Sequence, residues 1–389
     1  MTKKWSSRLT FFAFVVLMVG LGSNDSLRGI FSTIFQEHFS LTTTQLGLIV
    51  TASYIGNLVF LLVGGNLSTR FSKKRVLQVL ILIWMAALAL FAFTSNYTVL
   101  LIGMALALGS STLLNTTMNL ITPLLFATAP GFFVNFLFFT QEIGTSGSQY
   151  ILGSHADGFA FWQHTNLVLL ILGAVAFVLL LFCNVPEEAA APADAPAQKG
   201  GYDWRIIVPY VLVFGFYFIA EHGVMNWMVA YGVDGLGLPQ ASAAKYLSVF
   251  FGGMMIGRLC LSPLVDKLGA LKSLAAFGGV SCVLYLIGSL GGAVTMPVWA
   301  ISGLSFSILY PTLVMSIRLY IPAQQVSGAA RTILSIASLA DILFNVGFGR
   351  LVDMAGYAVS IRVLPLSALA FFIVFMLFTK FCKPTQKLK

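Results

Sequence analysis

The sequence predicts an all-α integral membrane protein with twelve transmembrane helices, arranged as two six-helix halves related by pseudo-two-fold symmetry. Three observations predict this. First, the 389 residues are 58% hydrophobic and only 9% charged, with 34 Phe and a mean hydropathy of +0.91. An ordinary soluble domain carries about 25% charged residues, so a chain this apolar lacks the polar surface to cover its core in water. Second, the apolar residues fall into twelve runs of roughly 20 residues or more, the length a helix needs to cross a bilayer. Third, a polar stretch at 186–204 divides these runs six and six. Lipid offers the backbone no partner, and runs this long and unalternating favour helices over barrel strands.

The runs cover about 9–35, 43–66, 76–95, 98–125, 130–153 and 164–185 in the first half. In the second they cover about 206–231, 243–264, 272–291, 295–317, 330–352 and 359–381. Span 1 follows "MTKKWSSRLTFFAFVVLMVG", which has the basic-then-apolar shape of a signal peptide. No small-residue cleavage site follows and the run continues past Asp25, so it reads as a retained span. Its end, "GLGSNDSLRGIF" (Gly20–Phe31), places Asn24, Asp25 and Arg28 in a segment otherwise suited to lipid. A charge near the bilayer centre costs about 2.5–3.5 kcal/mol on insertion scales. Asp25 and Arg28 are one helical turn apart, so they share a face and can pair. Gly20, Gly22 and Gly29 thin the helix beside them and admit a close neighbour.

Spans 2 and 3 are joined by "GNLSTRFSKKR", which begins at Gly65. Span 4 carries Asn115 and Asn119. Span 5 carries Gln141 and Glu142, and Glu142 has no basic neighbour on its own helix, which suits a carboxyl that takes up and releases a proton. Span 6 carries Cys183 near its end. The four cysteines (Cys183, Cys260, Cys282, Cys382) lie in or beside spans without a C-x-x-C, so neither a disulfide nor a metal site is expected. "VPEEAAAPADAPAQKGGYDW" (185–204) is rich in Ala, Pro and acidic residues and reads as a flexible cytoplasmic linker. The expected organisation is therefore a first half at 1–185, a linker at 186–204 and a second half at 205–389.

Span 7 opens the second half and carries Glu221, His222, Asn226 and Trp227. Span 8 leads into "SPLVDKLGALK", which begins at Ser262. Span 10 carries Tyr310, and span 11 carries Asp341 and Asn345. Sliding the chain by 197 residues, the separation of Arg75 and Lys272, sets Leu67 on Leu264, Arg70 on Lys267 and Ser72 on Gly269. This is a parallel repeat of six spans, since an even number of crossings preserves orientation. The same offset carries Asp25 onto His222 and Asn24 onto Glu221, and brings Glu142 within two residues of Asp341. Polar groups placed twice at matching depth point to a site where the repeats meet.

Charge fixes the expected orientation. With both termini inside, every Lys and Arg except Arg28, Lys245, Arg258, Arg350 and Arg362 lies on the cytoplasmic side. The net charge of +9 therefore reflects topology, and no nucleic-acid partner is inferred from it. The compact loops suit a bacterial inner-membrane protein, expected as a monomer in the lipid bilayer.

A loop of the form G-x-L-x-D-R/K-x-G-x-x-R/K between spans 2 and 3, echoed between spans 8 and 9, resembles the signature loop of the major facilitator superfamily. The second copy supplies Asp266, Lys267 and Gly269. The first supplies Gly65, Arg70 and Arg75, with Thr69 and Ser72 where the family has Asp and Gly. The resemblance implies the twelve-helix major facilitator fold, with these loops gating the cytoplasmic side rather than binding substrate. Three stretches, "YFIAEHGVMNWMVAY" (217–231), "FSILYPTLV" (306–314) and "FFTQEIGTSG" (138–147), are similar to the fucose/glucose–proton symporter branch. That likeness implies spans 1, 4, 7 and 10 along the substrate path and a coupling acid in span 1 or span 4. In span 4, "LLNTTMN" offers Asn115 where some of that branch carry an acid.

The expected function is secondary active transport of a small hydroxylated solute, a sugar, by alternating access coupled to protons. Asp25, Glu142 and Asp341 are the candidate proton carriers. Asn24, Arg28, Asn115, Asn119, Gln141, Glu221, His222, Asn226, Trp227, Tyr310 and Asn345 are the candidate substrate ligands, because amides offer donors and acceptors together and Trp227 and Tyr310 can stack on a sugar face. Two alternatives keep the same fold: an organic anion held by Arg28, or efflux of small amphipathic compounds. An enzyme is not expected. The chain holds no H-E-x-x-H and no G-x-S-x-G, and no cofactor is implied.

Overall fold

The computed structural model describes residues 3–126, 130–186 and 202–384. The chain packs as two compact units, Met1–Ala195 and Pro196–Lys389, and each is treated by itself. In the first unit the long helices are span 1 (Lys3–Ile30), span 2 (Thr43–Arg70), span 3 (Lys73–Phe93), span 4 (Tyr97–Leu125), span 5 (Pro130–Ile151) and span 6 (Phe159–Leu181). The second holds span 7 (Trp204–Ala230), span 8 (Gln240–Leu268), span 9 (Ala270–Leu290), a broken span 10 (Gly292–Leu319), span 11 (Ala323–Ala355) and span 12 (Val363–Phe381). Among the described residues, eleven of these are long and apolar enough to cross a membrane. Span 5 has the length, but Gln141, Glu142, Gln149 and a run of Ser, Thr and Gly dilute its hydropathy.

Span 6 shows how the apolar runs divide their faces. Val168, Ile171, Val175 and Val178 are exposed, whereas Leu169, Gly173, Ala176 and Leu180 are buried. Both sets recur every three or four residues, so one helical stripe faces the protein and another, equally apolar, faces outward. Only a hydrocarbon solvent tolerates so many exposed Val and Ile side chains.

The helix pairing repeats between the units. Span 1 packs on spans 5 and 6, span 2 on span 4, and span 3 on spans 4 and 6. In parallel, span 7 packs on spans 11 and 12, span 8 on span 10, and span 9 on spans 10 and 12. Small residues set the closest of these approaches. A Cβ on Gly22 would overlap the Gln141 carbonyl oxygen, and one on Gly144 would overlap that of Val19. Spans 1 and 5 therefore touch backbone to backbone, and the hydroxyls of Ser23 and Thr145 cross the seam to the carbonyls of Gly144 and Gly22, both at 3.3 Å. Gly257 and Gly303 make a similar seam between spans 8 and 10.

Two helices depart from the sequence expectation. The first run, expected to continue to about 35, stops at Ile30, and a short helix, Ser32–Phe39, follows after a turn at Phe31. Span 10 is three helical pieces, Met296–Ile301, Gly303–Phe306 and Leu309–Ser316. Pro311 has no N–H to give the Ser307 carbonyl, and its ring crowds that carbonyl, so the helix opens one turn earlier. Three serines fill the gaps by bonding back into the chain: Ser302 to Trp299 at 2.6 Å, Ser305 to Ser302 at 2.9 Å and Ser307 to Leu304 at 2.7 Å.

Candidate functional site

In the first unit the polar side chains of spans 1, 3, 4 and 5 meet in pairs. Trp84, in the middle of span 3, donates its indole N–H to Asn24 at 3.3 Å. Ser111 on span 4 donates to the Asp25 carboxylate at 3.4 Å. Farther along span 4, Asn119 donates to the Asn115 oxygen at 2.6 Å, and Asn115 donates to Gln141 on span 5 at 2.6 Å. The result is a ladder of three half-buried amides, and the Asn119 oxygen at its end is buried without a hydrogen-bond partner. Glu142, next to Gln141, is also half-buried.

The structure corrects one expectation here. The Arg28 charge acts on Asp25, but the two side chains do not close a direct ion pair. The carboxylate takes its hydrogen bond from Ser111, while the Arg28 guanidinium lies 5.7 Å over the Tyr54 ring of span 2. Arg28 is 6% exposed, and its Nε is buried with no hydrogen-bond partner. The Tyr54 face draws the cation sideways across the helix interface, and sequence spacing along span 1 alone does not reveal that pull.

In the second unit the polar groups of spans 7 and 11 form a continuous chain. His222 Nδ1 lies 2.6 Å from Asp341 Oδ2. Asn345 donates to the backbone carbonyl of Asp341 at 2.9 Å and to its Oδ1 at 3.3 Å, and Trp227 donates its N–H to Asn345 Oδ1 at 3.0 Å. Phe218, one turn before His222, stacks on the imidazole with centroids 5.2 Å apart and planes at 7°. Position 341 is the repeat counterpart of Gly144. Where spans 1 and 5 touch at glycines, spans 7 and 11 are joined by these side chains.

Several expected ligands prove to be interior. Trp227 is fully buried with its ring against Phe348 at 4.8 Å, so it presents no face on which a sugar could stack. Asn345 is fully buried and Asn226 nearly so. Tyr310 is half-buried and packs on Tyr217 and Phe218 at 6.1 Å each. Glu221 is half-buried, and its charge acts on Tyr217 and Tyr310 together with that of Arg258 from span 8.

The two signature loops turn in different ways. The side chains of Gly65, Arg70 and Asp266 lie outside the described residues. Ser72 caps span 3 by accepting from the backbone N–H of the exposed Arg75 at 3.4 Å. Gly269, at the counterpart position, has φ +81° and sits between spans 8 and 9 just after the exposed Lys267. Only glycine adopts that backbone freely, so a capping serine and a positive-φ glycine solve the same turn.

Sequence reasoning missed Trp84, Ser111, Tyr54, Phe218 and Arg258 as members of these clusters. Trp84 carried a readable signal, because an indole N–H inside an apolar span must find an acceptor. The others carried none.

Comparison with known proteins places this geometry. The pattern described as Major Facilitator Superfamily matches residues 10–340. The chain is 24% identical over 333 residues to the L-fucose-proton symporter of Escherichia coli, covering 74% of this chain and 75% of that one. It is 24% identical over 297 residues to the cis,cis-muconate transport protein of Acinetobacter baylyi, covering 71% and 70%. The crystal structure of a D-xylose-proton symporter superposes with a TM-score of 0.76 at 15% identity, covering 99% of both chains.

Proposed function

Because the chain belongs to the major facilitator superfamily of membrane transporters, we propose that it takes up a small hydroxylated solute, a sugar, in symport with protons. The two units alternate in exposing the site, with both termini cytoplasmic, as a monomer in the bacterial inner membrane. The observation that carries the reading is the amide ladder of Asn119, Asn115 and Gln141 beside Asp25. Amides bind hydroxyls as donor and acceptor at once, and the likeness to the fucose-proton symporter names a solute of that chemistry. Span 4 bears Asn115 where an acid would stand, so Asp25 and Glu142 carry the proton in the first unit and Asp341 belongs to a proton site in the second. In the second unit the half-buried Glu221 and Tyr310 are the candidate solute ligands.

The test is solid-supported-membrane electrophysiology on proteoliposomes. Neutral sugars should evoke a positive current in the wild type that is lost in Asp25→Asn and Glu142→Gln, while sugar binding in equilibrium exchange survives. A current that persists undiminished in both variants would remove these acids from the coupling role. A second reading is favoured by the buried Arg28 Nε that lacks a partner and by the likeness to a muconate transport protein: the solute is an organic anion. Silence with every sugar and a response to organic acids that Arg28→Ala abolishes would select it.

A further inference from the structure

We propose that His222 and Asp341 are one proton-binding site, in which Asp341 stays the fixed acceptor and the exchanged proton resides on the imidazole. The proposal rests on the reading of the chain as a proton-coupled carrier and refines it: the second unit binds its proton through a histidine, not through a lone carboxyl.

The geometry points to it in three ways. The 2.6 Å approach of Nδ1 to Oδ2 makes the two side chains a single hydrogen-bonded unit, whose macroscopic titration belongs to the pair. The unit has two charge states. With the proton bound it is an imidazolium–carboxylate pair of net charge zero; without it, neutral imidazole donates Nδ1–H to an anion. Both states keep the hydrogen bond, so the proton comes and goes without breaking the contact between spans 7 and 11. Asp341 is held as an acceptor from its other side too, since Asn345 donates to Oδ1 and Trp227 fixes Asn345 by occupying its oxygen. Finally, access is one-sided: the Asp341 side chain is 2% exposed and that of His222 is 26% exposed, so protons reach the pair through the imidazole. Phe218 stacked on that ring holds its plane.

The surrounding charges are few. On span 7 itself the neighbour is Glu221, which with Arg258 from span 8 acts on Tyr217 and on Tyr310 from span 10. Span 9 presents Tyr285, whose hydroxyl is spent on the Ala220 carbonyl at 2.9 Å. On span 11, Arg331 and Arg350 sit towards opposite ends of the helix. Span 12 packs Leu364 close to Gly223, and its charged residue, Lys380, lies in its last turn.

Trp227 reports on the site because its N–H ends the same chain of hydrogen bonds. The experiment is a pH titration of tryptophan fluorescence on the purified full-length protein without substrate. Subtracting the Trp227→Phe trace removes the other five of the six tryptophans. The wild type should show a step between about pH 5 and 8, where imidazole alone among unperturbed side chains titrates. His222→Gln should lose the step. Asp341→Asn keeps the hydrogen-bonding shape but removes the charge, and should displace the midpoint by about 1 pH unit or more. In proteoliposomes, the pH dependence of gradient-driven uptake by His222→Gln should flatten between about pH 5 and 8. A step that survives in His222→Gln, or an uptake profile of that variant that superimposes on the wild type, overturns the proposal. Because the titration needs no substrate, its failure is separate from a failure of the sugar reading, which would show as a wild type that accumulates no sugar.

Discussion

At the scale of single residues, glycine does opposite work in the two units. Gly22 and Gly144 exist because nothing larger fits: each meets a backbone carbonyl of the facing helix, which is part of a main chain and cannot rotate away. Gly347 on span 11, by contrast, has no atom within 4 Å of where a Cβ would stand. Gly22→Ala and Gly144→Ala should each destabilise the first unit by about 1–3 kcal/mol through overpacking, seen as a lower melting temperature in detergent. Gly347→Ala should be neutral or gain up to about 1 kcal/mol from helix propensity. Equal melting temperatures for the three variants would mean that spans 1 and 5 do not touch as described. The residue scale is also where the sequence was least legible. Asp25 and Arg28 are close in sequence, yet the partners that claim them, Ser111 and Tyr54, come from other helices. His222 and Asp341 are 119 residues apart, and periodicity within one helix says nothing about such a pair. The repeat offset did place both in the interior, because offset preserves depth even where it does not preserve partners.

Elements were more legible, and their departures have local causes. A run of apolar residues identifies a span but not its continuity. Span 10 reads as one run from 295 to 317 and folds as three pieces, and the donor that Pro311 lacks opens the second of its two breaks, at Ser307. The serines at 302, 305 and 307 bond back to the carbonyls of Trp299, Ser302 and Leu304, so their own hydroxyls find partners without water. A span already broken at one place is suited to change shape there during a transport cycle. Pro311→Ala restores the missing N–H to the Ser307 carbonyl. It should stabilise the purified protein by up to about 3 kcal/mol and slow initial uptake roughly tenfold, the rate equivalent of about 1.4 kcal/mol in the barrier. Uptake at the wild-type rate in a stabilised Pro311→Ala protein would show that the break is a static feature of packing.

At the scale of the whole molecule, the charge pattern and the contacts within each unit bear on one question, which end of each unit faces the cytoplasm. In the first unit Lys74 donates to the carbonyls of Leu181 at 3.0 Å and Cys183 at 2.7 Å, and the Asn184 N–H bonds Ser6 at 2.9 Å. The start of span 1, the loop between spans 2 and 3 and the end of span 6 therefore share one end, and Arg8, Lys73, Lys74 and Arg75 lie there. At the other end His38 meets Ser95 at 2.6 Å and Tyr97 bonds the Gln45 carbonyl at 2.8 Å, without a lysine or arginine among those residues. In the second unit Tyr202 lies against Gly328 at the start of span 11, and Tyr320 packs on Phe378 at 4.7 Å near Lys380. That gathers Arg205, Arg318 and Lys380 at one end. Basic residues resist translocation, and this is the ground for the proposal that both basic ends face the cytoplasm, which a unit of six crossings allows. In a protein with its four cysteines replaced, Asp157→Cys between spans 5 and 6 should react with a membrane-impermeant maleimide in intact cells. Asp203→Cys before span 7 should react only after permeabilisation. Both positions are exposed in the structure, so a reversed pattern could not be blamed on burial and would invert the molecule in the membrane.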